Sequence, residues 1–393
     1  MVCILKKGLY GLKQAGRMWN QKLSALLLTL GFIQNEVDLC LFMKDGTLIV
    51  AIYVDDLIVC GKTSADISEF ISKFRKEFDT TEPENANWIL GMSVDVKPDE
   101  YISLSQPAYV KKLLKDFGME DARLTNTPLP AGASLSRSKE TPTPEQLKRN
   151  RTFVGSLLYL AQCTRPDLAN AVCQLSHVMT APPESWNAVV KHVLRYLHRT
   201  GDAGICYWKS PRRTAELHGY VDASWGDNLD SRKSTTGYVF FLNGGPISWV
   251  SKLQRTIALS TVEAEYTALV HAIQEGIFLR RLIQSLGEEM HGPTVLFEDN
   301  NGAANLVDHP TSHGRTKHID IKRKWLDDKL QPPDAQFVVK RVDTSENVAD
   351  LFTKSLPRTT FEKHASSVLS FAQTAGRKML KAIGNTMACC SLW

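Results

Sequence analysis

Two apolar, β-branched runs flank a pair of adjacent carboxylates in Leu48-Ile49-Val50-Ala51-Ile52-Tyr53-Val54-Asp55-Asp56-Leu57-Ile58-Val59-Cys60. Runs of this kind joined by about two residues predict a tight β-hairpin. Such turns normally use Asn-Gly or Asp-Gly, where glycine relieves a positive φ. The central pair read here, Asp55-Asp56, contains no glycine. Two charges between strands that read as buried are unfavourable unless something neutralises them, and a hard divalent cation suits carboxylate oxygens best. The competing reading is a solvated acidic turn. Asp55 and Asp56 thus enter as candidate metal ligands.

The chain has 393 residues, a length that suits two or three domains. It is 43% hydrophobic and 23% charged, the balance of a soluble protein. A net charge of +5 permits a nucleic-acid partner without requiring one. Eight scattered cysteines form no Cys-x-x-Cys pair, so a zinc ribbon is not expected. They read as reduced thiols of an intracellular protein, cytoplasmic or nuclear. Met1-Val2-Cys3-Ile4-Leu5 runs at once into Lys6-Lys7, too short for a signal-peptide core, and no apolar run reaches the length of a membrane span. No membrane partner is expected.

Before the hairpin, Lys6 to Trp19 combines glycines, which suit close backbone approach, with cations, which suit phosphate. Lys6, Lys7, Lys13, Gln14 and Arg17, with Tyr53 on the hairpin, are the candidate nucleic-acid contacts. Apolar residues at helical spacing predict a helix over 19–30 closed by Gly31, and a second over 66–78. Trp88 to Val96 reads as one strand with Tyr101–Ser105 as its partner, followed by a helix over 106–117. The stretch 125–144, rich in Pro, Ser, Thr and Ala, reads as a mobile linker. Helical patterns fill 153–200, broken at Arg165-Pro166 and Ala181-Pro182-Pro183. The last of them carries Lys191, His192, Arg195, His198 and Arg199, which read either as a nucleic-acid track or as a solvated face.

From Glu216 the pattern turns to short strands. Leu217–Trp225, Thr235–Leu242 and Ile247–Ser251 predict an antiparallel meander, its second turn at Asn243-Gly244-Gly245-Pro246. A helix follows at Ser260-Thr261-Val262-Glu263, a capping box that gives Ser260 and Glu263 a structural task. Glu265 lies about 200° around the helix from Glu263 and shares a face with Leu269 and Ala272, where solvation does not explain a carboxylate. Val295–Asp299 is an apolar strand ending in acids, and a helix start is read at Asn300–Ala304. Gln336–Val342 is a further strand, and a last helix begins near Asn347-Val348-Ala349-Asp350.

Tyr53-Val54-Asp55-Asp56 resembles the catalytic hairpin of reverse transcriptases, and the Lys-Gly-Leu-Tyr-Gly-Leu-Lys-Gln-Ala run over 7–15 resembles the segment preceding it in copia-type retrotransposons. That family usually has proline where Gly16 stands. Tyr220–Trp225, Ser260–Tyr266, Glu298-Asp299-Asn300 and Asn347–Asp350 resemble its ribonuclease H set. The resemblance implies an α/β (α+β) protein: a partial reverse transcriptase (1–122), a linker (123–152), a helical connection (153–214), a ribonuclease H-like mixed sheet flanked by helices (215–357) and a tail (358–393). It implies Asp222, Glu265, Asp299 and Asp350 as ligands of Mg²⁺, or Mn²⁺ in its place, with an RNA–DNA hybrid or template-primer as partner and no small-molecule substrate beyond nucleotides. Two ions activate water and stabilise the leaving oxygen in such sites. Many ribonucleases H carry a histidine just before the last acid; 342–347 holds none, and His318 is the candidate substitute. His309, His313 and His318 lack companion cysteines, so zinc is not expected. The family's polymerase needs a third aspartate upstream of the Leu-Tyr-Gly-Leu-Lys-Gln run, which the sequence given does not contain. The expectation is therefore a hybrid-specific nuclease with polymerisation lost; the alternative is an inactive relic that at most binds nucleic acid.

Overall fold

The computed structural model describes residues 11–83, 85–98, 100–209, 215–300, 325–326, 328–330 and 335–371. Lys6, Lys7, His309, His313, His318 and the 301–304 helix start lie outside them, as do Cys389 and Cys390. The chain divides into two units, one comprising residues up to Ala86 with Phe278–Glu289, the other running from Asn87 to Ile277 and resuming at Met290.

The first unit contains helix α1 (Ala15–Thr29), strands β1 (Ile33–Gln34), β2 (Leu41–Lys44), β3 (Leu48–Tyr53) and β4 (Asp56–Gly61), and helix α2 (Ser64–Phe74). The strands form an antiparallel sheet in the order β1-β2-β3-β4. Period-2 burial on β3 and helical burial on α1 and α2 gather Leu23, Leu27, Phe42, Val50, Ile52, Phe70 and Phe74 into one core. Thr63 caps α2, accepting the Asp66 N–H.

The hairpin forms in the expected place, but its turn is displaced by one residue. Tyr53 pairs with Asp56, so the central residues are Val54 and Asp55. Val54 adopts φ +53°, a region that a β-branched residue rarely enters. The Trp19 indole N–H donates to the Val54 carbonyl at 2.7 Å and holds the turn there.

The second unit opens with β5 (Trp88–Ile89), β6 (Met92–Lys97) and β7 (Tyr101–Ser105). The expected single strand over 88–96 is thus a hairpin, turning at Leu90-Gly91, both at positive φ. An added Cβ at Gly91 would meet the Tyr159 hydroxyl, which donates to the Leu90 carbonyl at 2.6 Å. Helices α3 (Pro107–Asp116), α4 (Pro144–Cys163), α5 (Ala169–Val178) and α6 (Trp186–Arg199) follow, then β8 (Ala203–Trp208). At the Arg165-Pro166 break, Arg165 and Asp167 form a fully buried bidentate ion pair, joined by the Tyr196 hydroxyl and Thr200.

Strands β9 (Leu217–Ser224), β10 (Thr235–Leu242) and β11 (Gly245–Leu253) form the expected meander, with Asn243 and Gly244 at positive φ in its second turn. Helix α7 (Thr261–Ser285), which belongs to this unit as far as Ile277, β12 (Thr294–Glu298), β13 (Phe337–Arg341), the short α8 (Asp350–Thr353), α9 (Arg358–Val368) and β14 (Ser370–Phe371) complete the unit. The sheet order is β11-β10-β9-β12-β13, with the meander antiparallel and β9, β12 and β13 parallel. This is the α/β mixed sheet that the resemblance implied. A second sheet runs β14-β8-β7-β6-β5.

Three boundaries drawn from the sequence differ from the packing. Strands β5–β7, expected with the first domain, pair with β8 in the second unit. Helices α3–α6 share one hydrophobic core with Val239, Phe241, Phe352 and, from the expected tail, Phe361 and Val368. The 125–143 stretch is strapped down rather than loose. Leu129 is buried, the Gly132 N–H donates to the Ser355 carbonyl, the Ser138 N–H to the Ala181 carbonyl, and the His192 ring to the Thr127 carbonyl. Backbone hydrogen bonds, invisible to composition, do the fastening. His192 therefore serves the strap, as does His198 on the Ala122 carbonyl at 3.1 Å.

Candidate metal centre

Each acid of the second unit sits where an element ends or faces the core. Asp222 lies on β9 opposite Gly237 of β10. On the other side of β9, β12 runs parallel with Phe297 beside Tyr220, so Asp299 leaves the sheet next to Asp222. In parallel sheets, sites gather at such carboxyl ends. Glu265 lies on the first turns of α7, whose start is fixed by Ser260: the Glu263 N–H donates to Ser260 Oγ at 3.1 Å. The Glu263 carboxylate accepts the Leu259 N–H at 2.7 Å, so the reciprocal bond of the capping box falls one residue early. Gln254 fastens β11 to the same turn through the Ala264 carbonyl, at 2.9 Å. Leu269 and Ala272 are fully buried on the Glu265 face, as the spacing predicts.

Carboxylate oxygens of Asp222, Glu265 and Asp299 lie within 4.8 Å of one another, and among the described residues no other such cluster of metal-ligating side chains is found. Asp350 stands outside that triad. It is brought to Asp222 by Lys354, whose ammonium lies 2.5 Å from Asp350 Oδ1 and 3.3 Å from Asp222 Oδ1. The Thr353 hydroxyl donates to Asp222 Oδ2. Asn347, fully buried, ties the preceding loop to β9 by donating to the Val221 carbonyl at 3.0 Å. Gly237 lets α8 lie against β10: a Cβ there would stand 2.6 Å from Thr353 Cγ2 and 2.8 Å from Phe352 Cβ.

The acids are crowded and dry. Burial, aided by Asp350, pushes the Asp222 carboxyl up to about 6 against the pull of Lys354. Burial and then Glu298 push Glu265 to about 11, and burial raises Asp350 as well. Glu298, which sequence reasoning passed over in favour of Asp299, is fully buried beside them, and burial raises its carboxyl well above the usual range. Its inward direction was available from the period-2 row Thr294, Leu296, Glu298. Glu265 Oε2 and Glu298 Oε2 are buried with no hydrogen-bond partner.

The other sequence candidates are dispersed. Asp55 and Asp56 are exposed, so the expectation of charges held between buried strands does not apply to them. Tyr53, Lys13 and Arg17 are exposed on the first unit, and Gln14 precedes α1 as its N-cap without a side-chain capping bond.

Residues 1–131 match the family described as reverse transcriptase (RNA-dependent DNA polymerase). The retrovirus-related Pol polyprotein from transposon TNT 1-94 of Nicotiana tabacum is 38% identical over 92% of this chain and 28% of its own length. A putative transposon Ty5-1 protein of Saccharomyces cerevisiae is 31% identical over 68% of this chain and 87% of its own. The chain belongs to the copia-type retrotransposon Pol family. It spans about a quarter of the length of the family's Pol polyproteins that it matches. Among solved structures, a ribonuclease H1 isolated from compost aligns over 38% of this chain and 96% of its own, at 14% identity and a TM-score of 0.28. Among the described residues, no helix is long and apolar enough to cross a membrane.

Proposed function

We propose that the second unit of this Pol-family chain hydrolyses the RNA strand of RNA–DNA hybrids with the help of Mg²⁺ or Mn²⁺. The observation that carries the reading is the convergence of Asp222, Glu265 and Asp299 at the carboxyl end of a ribonuclease H-like sheet. The donor set fits a hard cation. It is all carboxylate, it is largely desolvated, and Glu265 Oε2 is an acceptor left without a hydrogen bond. Asp222, Glu265, Asp299 and Asp350 would hold the ions, which when bound supply a polarised water and neutralise charge on the leaving oxygen.

The chain's own residues prepare that site. Thr353 and Lys354 orient Asp222, Lys354 orients Asp350, and the capped start of α7 fixes Glu265. The hybrid would be read through its shape and 2′-hydroxyls, without sequence preference. In the first unit, Asp55 and Asp56 belong to no cluster of three ligating side chains among the described residues. Polymerisation by this chain alone is therefore not expected.

A labelled RNA–DNA hybrid with Mg²⁺ tests the assignment. Cleavage is expected for the full chain and a loss of at least about a hundredfold for Asp299→Asn or Glu265→Gln. Cleavage that persists undiminished in Asp299→Asn, or none by the parent chain, sinks the nuclease reading. Primer extension on an RNA template should give no product; extension would overturn the reading of the first unit.

A further inference from the structure

We propose that Lys354 is a built-in cation that bridges Asp222 and Asp350 when no divalent ion is bound and that a second divalent ion must displace to use the same oxygens. The inference rests on the proposed nuclease reading and concerns how its site is loaded.

The geometry divides the four acids into two sides. On one, Asp222 Oδ1 and Asp350 Oδ1 already share the Lys354 ammonium, at 3.3 and 2.5 Å, while Thr353 occupies Asp222 Oδ2. On the other, Asp222, Glu265 and Asp299 converge within 4.8 Å, and Glu265 Oε2 has no hydrogen-bond partner. An ion entering the open side contends with Lys354 for Asp222 alone. An ion bridging Asp222 and Asp350 contends with it for both carboxylates, because two cations cannot share that space without strong repulsion.

Lys354 is suited to being displaced. It follows α8 directly, four residues after Asp350, and its side chain is 37% exposed while the two carboxylates beside it are 2% and 8% exposed. The long unbranched stem can carry its head group to water, leaving the acids in place. Loading is thus ordered: the Asp222–Glu265–Asp299 side fills first, and the Asp222–Asp350 side fills at higher concentration.

Mn²⁺ titration of the full chain by calorimetry, with melting in EDTA as an independent readout, tests this. The parent chain should bind one ion more tightly than a second. Lys354→Met should tighten the second ion by about tenfold and lower the melting temperature in EDTA, since the two acids lose their neutralising partner. Lys354→Arg, whose guanidinium can clamp carboxylates in bidentate fashion, should weaken the second ion by about threefold or more without loss of folding. If Lys354→Met does not fold, Lys354→Arg alone decides. Second-ion affinity unchanged in the folded variants, with two ions still bound by the parent, overturns this inference alone. A parent chain that binds no Mn²⁺ beyond what Asp222→Asn binds overturns the metal site itself, and this inference with it.

Discussion

Val54 holds a backbone conformation with φ +53° at a position where the residue is 62% exposed and contributes little packing. Val54→Gly should therefore relieve steric strain of about 1 kcal/mol or more, partly offset by the greater entropy of glycine in the unfolded chain. A rise of a degree or two in the melting of the first unit would register it; a fall would mean that the turn is not strained. In the second unit the decisive residues are acids whose protons are held more tightly folded than unfolded. Asp222 is raised from 3.8 to about 6, and Glu265 from 4.5 to about 11. Well below the unfolded values of 3.8 and 4.5 both states are protonated and no penalty exists. As pH rises through 4 to 6 and beyond, the unfolded chain ionises first and the folded state loses stability. In EDTA the melting temperature should fall over that range. Saturating Mg²⁺ should flatten the slope, and parallel curves with and without Mg²⁺ would refute a cation site at these acids.

Elements explain why some of this was legible in the sequence and some was not. Glu265 could be read from the residues because it breaks an apolar pattern whose 3.6-residue period fixes its direction, while Asp222 and Asp299 followed from the motifs of the family resemblance. Lys354 and Gly237 could not, because their importance lies in what packs against them across the sheet. Gly237 is read locally as a weak strand residue, yet it is the position against which Thr353 and Phe352 rest. Gly237→Val should push α8 away from β10, lower stability by about 1–3 kcal/mol and weaken the Mg²⁺-dependent rise in melting temperature. A variant that melts like the parent would show that α8 can shift freely. The Leu90-Gly91 turn was hidden for a different reason. Its flanking Trp-Ile and Met-Ser-Val residues continue an apolar run, so the hairpin reads as one strand until Tyr159 and the two positive φ values are seen.

At the scale of the whole molecule, the second unit is stitched from segments far apart in the chain. One hydrophobic core takes in Val110, Leu157, Leu175, Val193, Phe241, Phe352 and Val368. A fragment beginning at residue 215, where sequence alone would start a nuclease domain, strips Phe241 and Phe352 of the helices they pack against. It should be recovered unfolded or aggregated, whereas a fragment beginning at residue 87 should melt cooperatively; a soluble, cooperative 215–371 fragment would show that the shared core is dispensable. The outermost strand, Ser370–Phe371, pairs with Gly204 and Ala203, and β8 in turn pairs with Tyr101–Ser105. Read as genetics, a frameshift at codon 358 is as damaging as an early one: it removes Phe361 and Val368 from the common core and strips an edge strand from the sheet that begins at Trp88. Lesions scattered across more than 250 codons should thus produce one and the same loss, which a screen for soluble protein would score as a single phenotype.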